Sequence, residues 1–199
     1  MELDKVESKK ENDKFNEYRE FVSFLSENKI PLKFPNSSSK HAAVVLANIL
    51  KTSKEVFIYD NHLKGDIAYS HPDFIDALKT FSEDNNKALS IVISPIKEDK
   101  EQKLLEDIRK IKPQSLANIS IYEHTKTFVD NIFKITNGKE LEMSGNINFA
   151  VGDNNSYRIE RFDSPSMYNA NCNFNDTKTA TLLSNSIKSN LKYCEEYTL

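Results

Sequence analysis

A chain of 199 residues with 38% hydrophobic and 29% charged residues suits one core of ordinary size and is too short for two unrelated catalytic domains. Its net charge of −3 and pI of about 5.9 give no global positive field, so binding nucleic acid or anionic lipid requires a local patch. The start Met1-Glu-Leu-Asp-Lys5 has no signal-peptide core, Cys172 and Cys194 form no Cys-x-x-Cys pair, and the longest apolar stretch, Ala42 to Leu50, is far short of a membrane span. A reducing bacterial cytoplasm is the expected compartment, with no membrane partner.

The charged residues 1 to 12 read as a frayed start, after which Phe15, Tyr18, Val22 and Leu25 recur at helical spacing. Ile30-Pro-Leu-Lys-Phe-Pro35 ends that helix, and Asn36-Ser-Ser-Ser39 offers N-cap oxygens to an apolar helix from His41 to Lys51. Glu55 to Asp60 reads as a strand. Ser70-His-Pro-Asp73 opens a helix with Phe74, Ile75, Leu78 and Phe81 on one face, and Ala88 to Ser94 is a second strand. Pro95 closes it, Glu98 to Ile111 is a charged amphipathic helix stopped by Pro113, and Asn118 to Tyr122 is a third strand.

Helices alternating with strands over this stretch predict an α/β fold with a mixed, largely parallel sheet flanked by helices. Thr127 to Thr136 fits either a helix or a strand. Asn148 to Gly152 and Ser156 to Glu160 flank Asp153-Asn-Asn155 as an antiparallel hairpin. A short strand at Asn171 to Phe174 and a helix from Asp176 to about Tyr193 complete the chain. Residues 1–35 are thus expected to be an N-terminal helical extension and residues 36–199 the α/β domain.

Two spacings in the second half carry chemistry. Asn146-x-Asn148-x4-Asp153 lies on a predicted strand, and Tyr157-Arg-Ile-Glu160 and Ala170-Asn-Cys-Asn173-Phe174 follow it. His124-x-Lys126-x4-Asn131 is the other, with Ser144-Gly-Asn146 downstream. Both patterns resemble the phospholipase D-like (HKD) phosphodiesterase and nuclease superfamily, whose motif is His-x-Lys-x4-Asp followed by a Gly-Ser-x-Asn-like turn. The resemblance implies a phospholipase D-like fold, a His nucleophile, Lys and Asn on phosphate oxygens, and a homodimer pairing two motifs.

The first register is preferred, because strand, turn, Tyr-Arg-x-Glu and Asn-Phe fall there in order. It places Asn146 at the His position and Asn148 at the Lys position. A carboxamide is neither a phosphate nucleophile nor a cation, so ordinary phosphodiester hydrolysis is predicted to be absent. The ligand-binding candidates are then Asn146, Asn148, Asp153, Arg158, Glu160 and Asn173. The second register keeps His124 and Lys126 as catalytic candidates for an active, metal-independent phosphodiesterase.

Arg158 and Glu160 share a strand face, where they form either an ion pair or, through Arg158, an anion-binding fork. Asp60, His62 and Asp66 match no local metal signature, and Cys172 reads as a small buried hydrophobe. The four glycines, at 65, 138, 145 and 152, form no phosphate loop. No cofactor and no metal are expected. The expected ligand is a phosphodiester, nucleic acid or a protein; a plain interaction module without an anionic site is the remaining alternative.

Overall fold

The computed structural model describes residues 2–61, 67–95, 103–110, 118–136, 147–161 and 169–198. The fold is α/β. A mixed sheet of eight strands is flanked by seven α-helices among the described residues. The helices are α1 (Glu2–Glu27), α2 (Ser39–Thr52), α3 (Ile67–Ser70), α4 (Pro72–Ser82), α5 (Lys103–Lys110), α6 (Lys126–Thr136) and α7 (Thr177–Asn190). The strands are β1 (Phe34–Asn36), β2 (Glu55–Asp60), β3 (Ala88–Ile93), β4 (Ile119–His124), β5 (Ile147–Gly152), β6 (Ser156–Arg161), β7 (Asn169–Asn173) and β8 (Cys194–Tyr197). No described helix is long and apolar enough to cross a membrane.

The sheet order is β1-β7-β6-β5-β2-β3-β4-β8. Strands β2, β3 and β4 are parallel, as the helix-strand alternation predicts, and every other pairing is antiparallel. Because side chains alternate along a strand, each strand feeds two cores. Val56, Ile58, Leu89, Ile91, Ile93, Ala150 and Cys172 pack against α1, α2, α4 and α5, whereas Phe57, Tyr59, Val92, Phe149, Val151 and Ile159 pack against α6 and α7.

Helix α1 is helical from Glu2, through the segment read as a frayed start. Glu and Lys are strong helix formers, and their opposite charges recur at three- and four-residue spacing there. Its far end is anchored: Val22 and Leu25 are buried, Tyr18 stacks on His41 at 3.8 Å, and Ser26 Oγ donates to Asn48 Oδ1 at 2.8 Å. Asn48, the polar interruption in the apolar helix, also donates to Val44 O at 2.9 Å, so its burial leaves neither end of the amide unmatched. The expected boundary at residue 35 falls inside β1, which pairs with β7.

Two strands and a short helix have no counterpart in the sequence reading: β1, β8 and α3. The ambiguous stretch after His124 is the helix α6, and the last helix stops at Asn190, followed by a single 3-10 turn (Leu191–Tyr193). The hairpin forms as predicted, with Asp153 and Asn154 both left-handed at φ 47° and 56°. Such turns favour Asn, Asp and Gly because other side chains clash there.

Gly152, at the end of β5, lies so close to Ser53, the residue that ends α2, that a Cβ built on it would lie 2.2 Å from Ser53 Oγ and 2.9 Å from Ser53 Cβ. Gly152→Ala is therefore expected to lower stability by about 1–3 kcal/mol, the usual cost of overpacking. A urea unfolding curve checks this; an unchanged midpoint would mean that the two segments have room to part.

Candidate functional site

The carboxyl ends of the parallel strands β2, β3 and β4 reach one edge of the sheet, where open α/β folds commonly place ligands. The start of β5 and the ends of β6 and the beginning of β7 reach the same edge through the antiparallel pairings. Asp60, Asn61, Ser94, His124, Asn148 and Glu160 thereby reach this edge from five separate strands and their ends.

Asn148 sits at the centre of this edge, 3% exposed. Its Nδ2 donates to Asp60 Oδ1 at 2.7 Å, and its Oδ1 accepts from the Asn61 backbone N–H at 3.0 Å. The other Asp60 oxygen accepts from the Tyr69 hydroxyl of α3 at 2.8 Å. Asn148 thus uses both ends of its carboxamide inside the protein. A lysine there would supply a charge; the amide supplies a brace between β2 and β5.

Asn61 carries the network across the edge to the second face of the sheet. Its Nδ2 donates to the Tyr59 hydroxyl at 2.7 Å, its carbonyl accepts from Ser94 Oγ at 2.6 Å, and its Oδ1 lies 2.7 Å from His124 Nε2. With Oδ1 as the acceptor, Nε2 is the protonated ring nitrogen. Nδ1 is buried with no hydrogen-bond partner among the described residues, the His124 ring stacks with Phe128, and desolvation lowers the imidazole pKa. Ser94 Oγ is 3.3 Å from Nε2, but its proton goes to the Asn61 carbonyl, so this serine is not activated by the histidine.

Beneath β6, Arg158 and Glu160 share a face with Ala150, Ala170 and Cys172, whose small side chains leave room for a guanidinium. Arg158 donates from Nη1 to Glu160 Oε2 at 3.1 Å and from Nε to Asn36 Oδ1 at 2.7 Å, and both charged residues are 5% exposed. Burial opposes the charge on Arg158, but its neighbours, Glu160 foremost, together offset it, and the guanidinium pKa is raised. Burial pushes the neighbouring Cys172 thiol up to about 12, so it carries no thiolate.

The remaining sequence candidates lie elsewhere. Asp153 is at the opposite end of β5, in the hairpin, where its carboxylate accepts from the backbone N–H of Lys54 and Glu55 at 2.9 and 2.8 Å. It staples the hairpin to β2 and does not join Asn148. Asn173 ends β7 beside Tyr157, on the opposite face from Cys172, and its Oδ1 accepts from Asn175 N at 2.8 Å. Lys126 is exposed at the start of α6, and Asn131 binds Asn190 of α7 at 2.8 Å. Among the described residues, no hydrogen bond or ion pair joins Lys126 to His124 or its partners. Asn146, His62 and Asp66 lie outside the described residues, and no group of metal-ligating side chains occurs among the described ones.

Asn61, Tyr69 and Asn36 are the participants that sequence reasoning missed. Asn61 follows the last residue of a central parallel strand, a position where polar side chains reach the ligand edge, and that is the signal that could have found it.

No protein-family model matches the sequence, and no curated protein sequence matches it. Solved structures do. The phospholipase D family member Nuc from Salmonella typhimurium aligns with a TM-score of 0.54 at 14% identity, over 85% of this chain and 99% of Nuc. This chain has the phospholipase D-like fold. The phosphatidylserine synthase of Haemophilus influenzae Rd KW20 aligns with a TM-score of 0.50 at 9% identity, over 83% of this chain and 39% of the synthase. The archaeal chromatin protein TrmBL2 aligns with a TM-score of 0.55 at 11% identity, over 98% of this chain and 64% of its own length.

Within that fold, Arg158 and Glu160 act as a buried pair whose members depend on each other. Arg158→Met alone is expected to cost about 3–5 kcal/mol by stranding a buried carboxylate, whereas Arg158→Met with Glu160→Leu recovers most of the loss. Denaturant unfolding of the single and double variants measures this; equal losses in both would show that the charges are not coupled.

Proposed function

We propose that this chain is a phospholipase D-like domain without phosphodiesterase activity, whose role is to bind a phosphate-bearing ligand. The observation that carries the reading is Asn148, which stands where the motif calls for a lysine and is spent on Asp60 and Asn61. A transferring phosphoryl group needs donors aimed at its oxygens, free of competing acceptors. Among the described residues at this edge, Arg158 faces Glu160 and Asn36, and His124 has its protonated nitrogen on Asn61.

The binding half of the reading draws on the fold neighbours. TrmBL2, a DNA-binding chromatin protein, aligns over 98% of this chain and 64% of its own length, which supports nucleic acid as the ligand class. The competing reading, an active enzyme using His124 and Lys126, has a half-buried imidazole in its favour, but the lysine lies outside the network on α6. A homodimer, implied by the sequence resemblance, would find an apolar face in Phe21, Phe24 and Leu32, which are 41%, 58% and 45% exposed around the end of α1.

Incubation of the purified chain with bis(4-nitrophenyl) phosphate and with single- and double-stranded DNA and RNA, with and without magnesium, tests the reading. No turnover above buffer is expected. Turnover that disappears in His124→Ala would contradict it and select the alternative site.

A further inference from the structure

The positive charge of this acidic protein is unevenly placed. From Thr177 to Tyr193 the chain carries three lysines, at 178, 188 and 192, and no Asp or Glu. Ala180, Leu183 and Ile187 hold α7 on the sheet, so its outward side presents Lys178, Asn185 and Lys188 to solvent, and the 3-10 turn after it exposes Lys192. Helix α6 lies alongside, joined by the Asn131–Asn190 bond, and adds exposed Lys126 and Lys134 against a single exposed acid, Asp130. Asp176 is a helix cap, accepting from Thr179 N at 3.0 Å. On the other face of the sheet, α1 carries eight carboxylates against five basic residues.

Lys192 follows Lys178 by fourteen positions, so the stripe is about 21 Å long at the α-helical rise. It ends at an open groove of about 340 Å³ between the start of α6 and the last strand, lined by Thr125, Thr127, Lys192, Tyr193, Cys194 and Glu195. Tyr193 is 38% exposed beside this groove, with Lys192 Nζ 5.0 Å from its ring centroid. A row of lysines interspersed with amide and hydroxyl donors, ending in an exposed aromatic ring, has the chemistry of a strand-binding surface: cations and donors for phosphates, a ring for a base. Lys188 is paired with Glu55 yet keeps 40% of its side chain exposed, and so remains within reach of a phosphate.

We infer that the outer face of α6 and α7 binds single-stranded nucleic acid, its backbone following Lys178, Lys188, Lys192 and Lys126 and a base resting on Tyr193. An unstacked base can reach the ring, whereas a duplex keeps its base faces covered. The inference deepens the binding role proposed above by naming a ligand class and a surface, the outer side of the α6 and α7 layer. The two fail separately, because hydrolysis would overturn the former and leave this surface standing.

Fluorescence anisotropy of the full chain with fluorescein-labelled 20-nucleotide oligo(dT) and oligo(U) at low salt tests it. Saturable binding is expected, with a slope of log affinity against log salt of about −2 to −3, as four neutralised phosphates of a single strand give. Lys178→Glu with Lys192→Glu should weaken binding at least tenfold and reduce that slope by roughly 1.4. Tyr193→Ala should weaken it at least about fivefold with the slope unchanged. Lys40→Glu with Lys51→Glu makes the same charge change at exposed positions of α2 on the other layer, and should alter affinity less than about twofold. Thermal melting confirms that each variant is folded. No saturable binding, an equal loss in the α2 variant, or equal affinity for a duplex of the same length would overturn the inference.

Discussion

The interaction on which the candidate site depends is the carboxamide of Asn148 held between Asp60 and Asn61. It joins the last residues of a parallel strand to the first residues of an antiparallel one, at the line where the two halves of the sheet meet. In a buried setting an unmatched amide or carboxylate costs several times what a matched one contributes. Each member therefore fixes the next: Tyr69 and Asn148 hold Asp60, Asn61 holds Asn148, and His124 and Ser94 close on Asn61. Arg158, Glu160 and Asn36 form a second closed set under β6. Among the described residues, the amides and carboxylates of this edge thus already have partners within the protein.

Most of the fold was legible in the sequence because its elements obey simple periods. Strands β2 and β3 are short apolar runs bounded by polar turns, α4 has its apolar residues at helical spacing after a proline, and the Asp-Asn-Asn turn requires left-handed backbone that few residues adopt. The missed strands are of another kind. β1 has three residues with a proline at its centre and β8 contains two adjacent glutamates, so neither has an apolar signature, and their pairing with β7 and β4 alone defines them. The stretch from Lys126 to Thr136 mixes β-branched and aromatic residues and is a helix because Phe128 and Ile132, four apart, meet the same core.

The site was half legible for a geometric reason. Motif spacing is linear, but an extended strand carries its residues apart, so Asn148 near one end of β5 and Asp153 in the turn beyond the other end do not meet. The two-residue period of a strand places Arg158 and Glu160 together, and there both sequence alternatives, ion pair and anion fork, describe one guanidinium; the structure gives it to Glu160 and Asn36. Asn61 and Tyr69 escaped because their roles come from distant strands meeting at an edge, which no local window contains. The charge of the chain behaves alike: a net −3 hides an acidic α1 and a carboxylate-free α7 on opposite sides of one sheet.

The closure of the strand edge is tested most directly by side-chain NMR of the ¹⁵N-labelled chain, following the Arg158 Nε–H and the Asn148 amide group during titration with inorganic phosphate and thymidine 5′-monophosphate. The account predicts that both signals stay in place and remain slow to exchange with water, since each donor is buried on a protein acceptor. A saturable shift of either signal would show that phosphate enters the edge and displaces Glu160 or Asp60, and would contradict it.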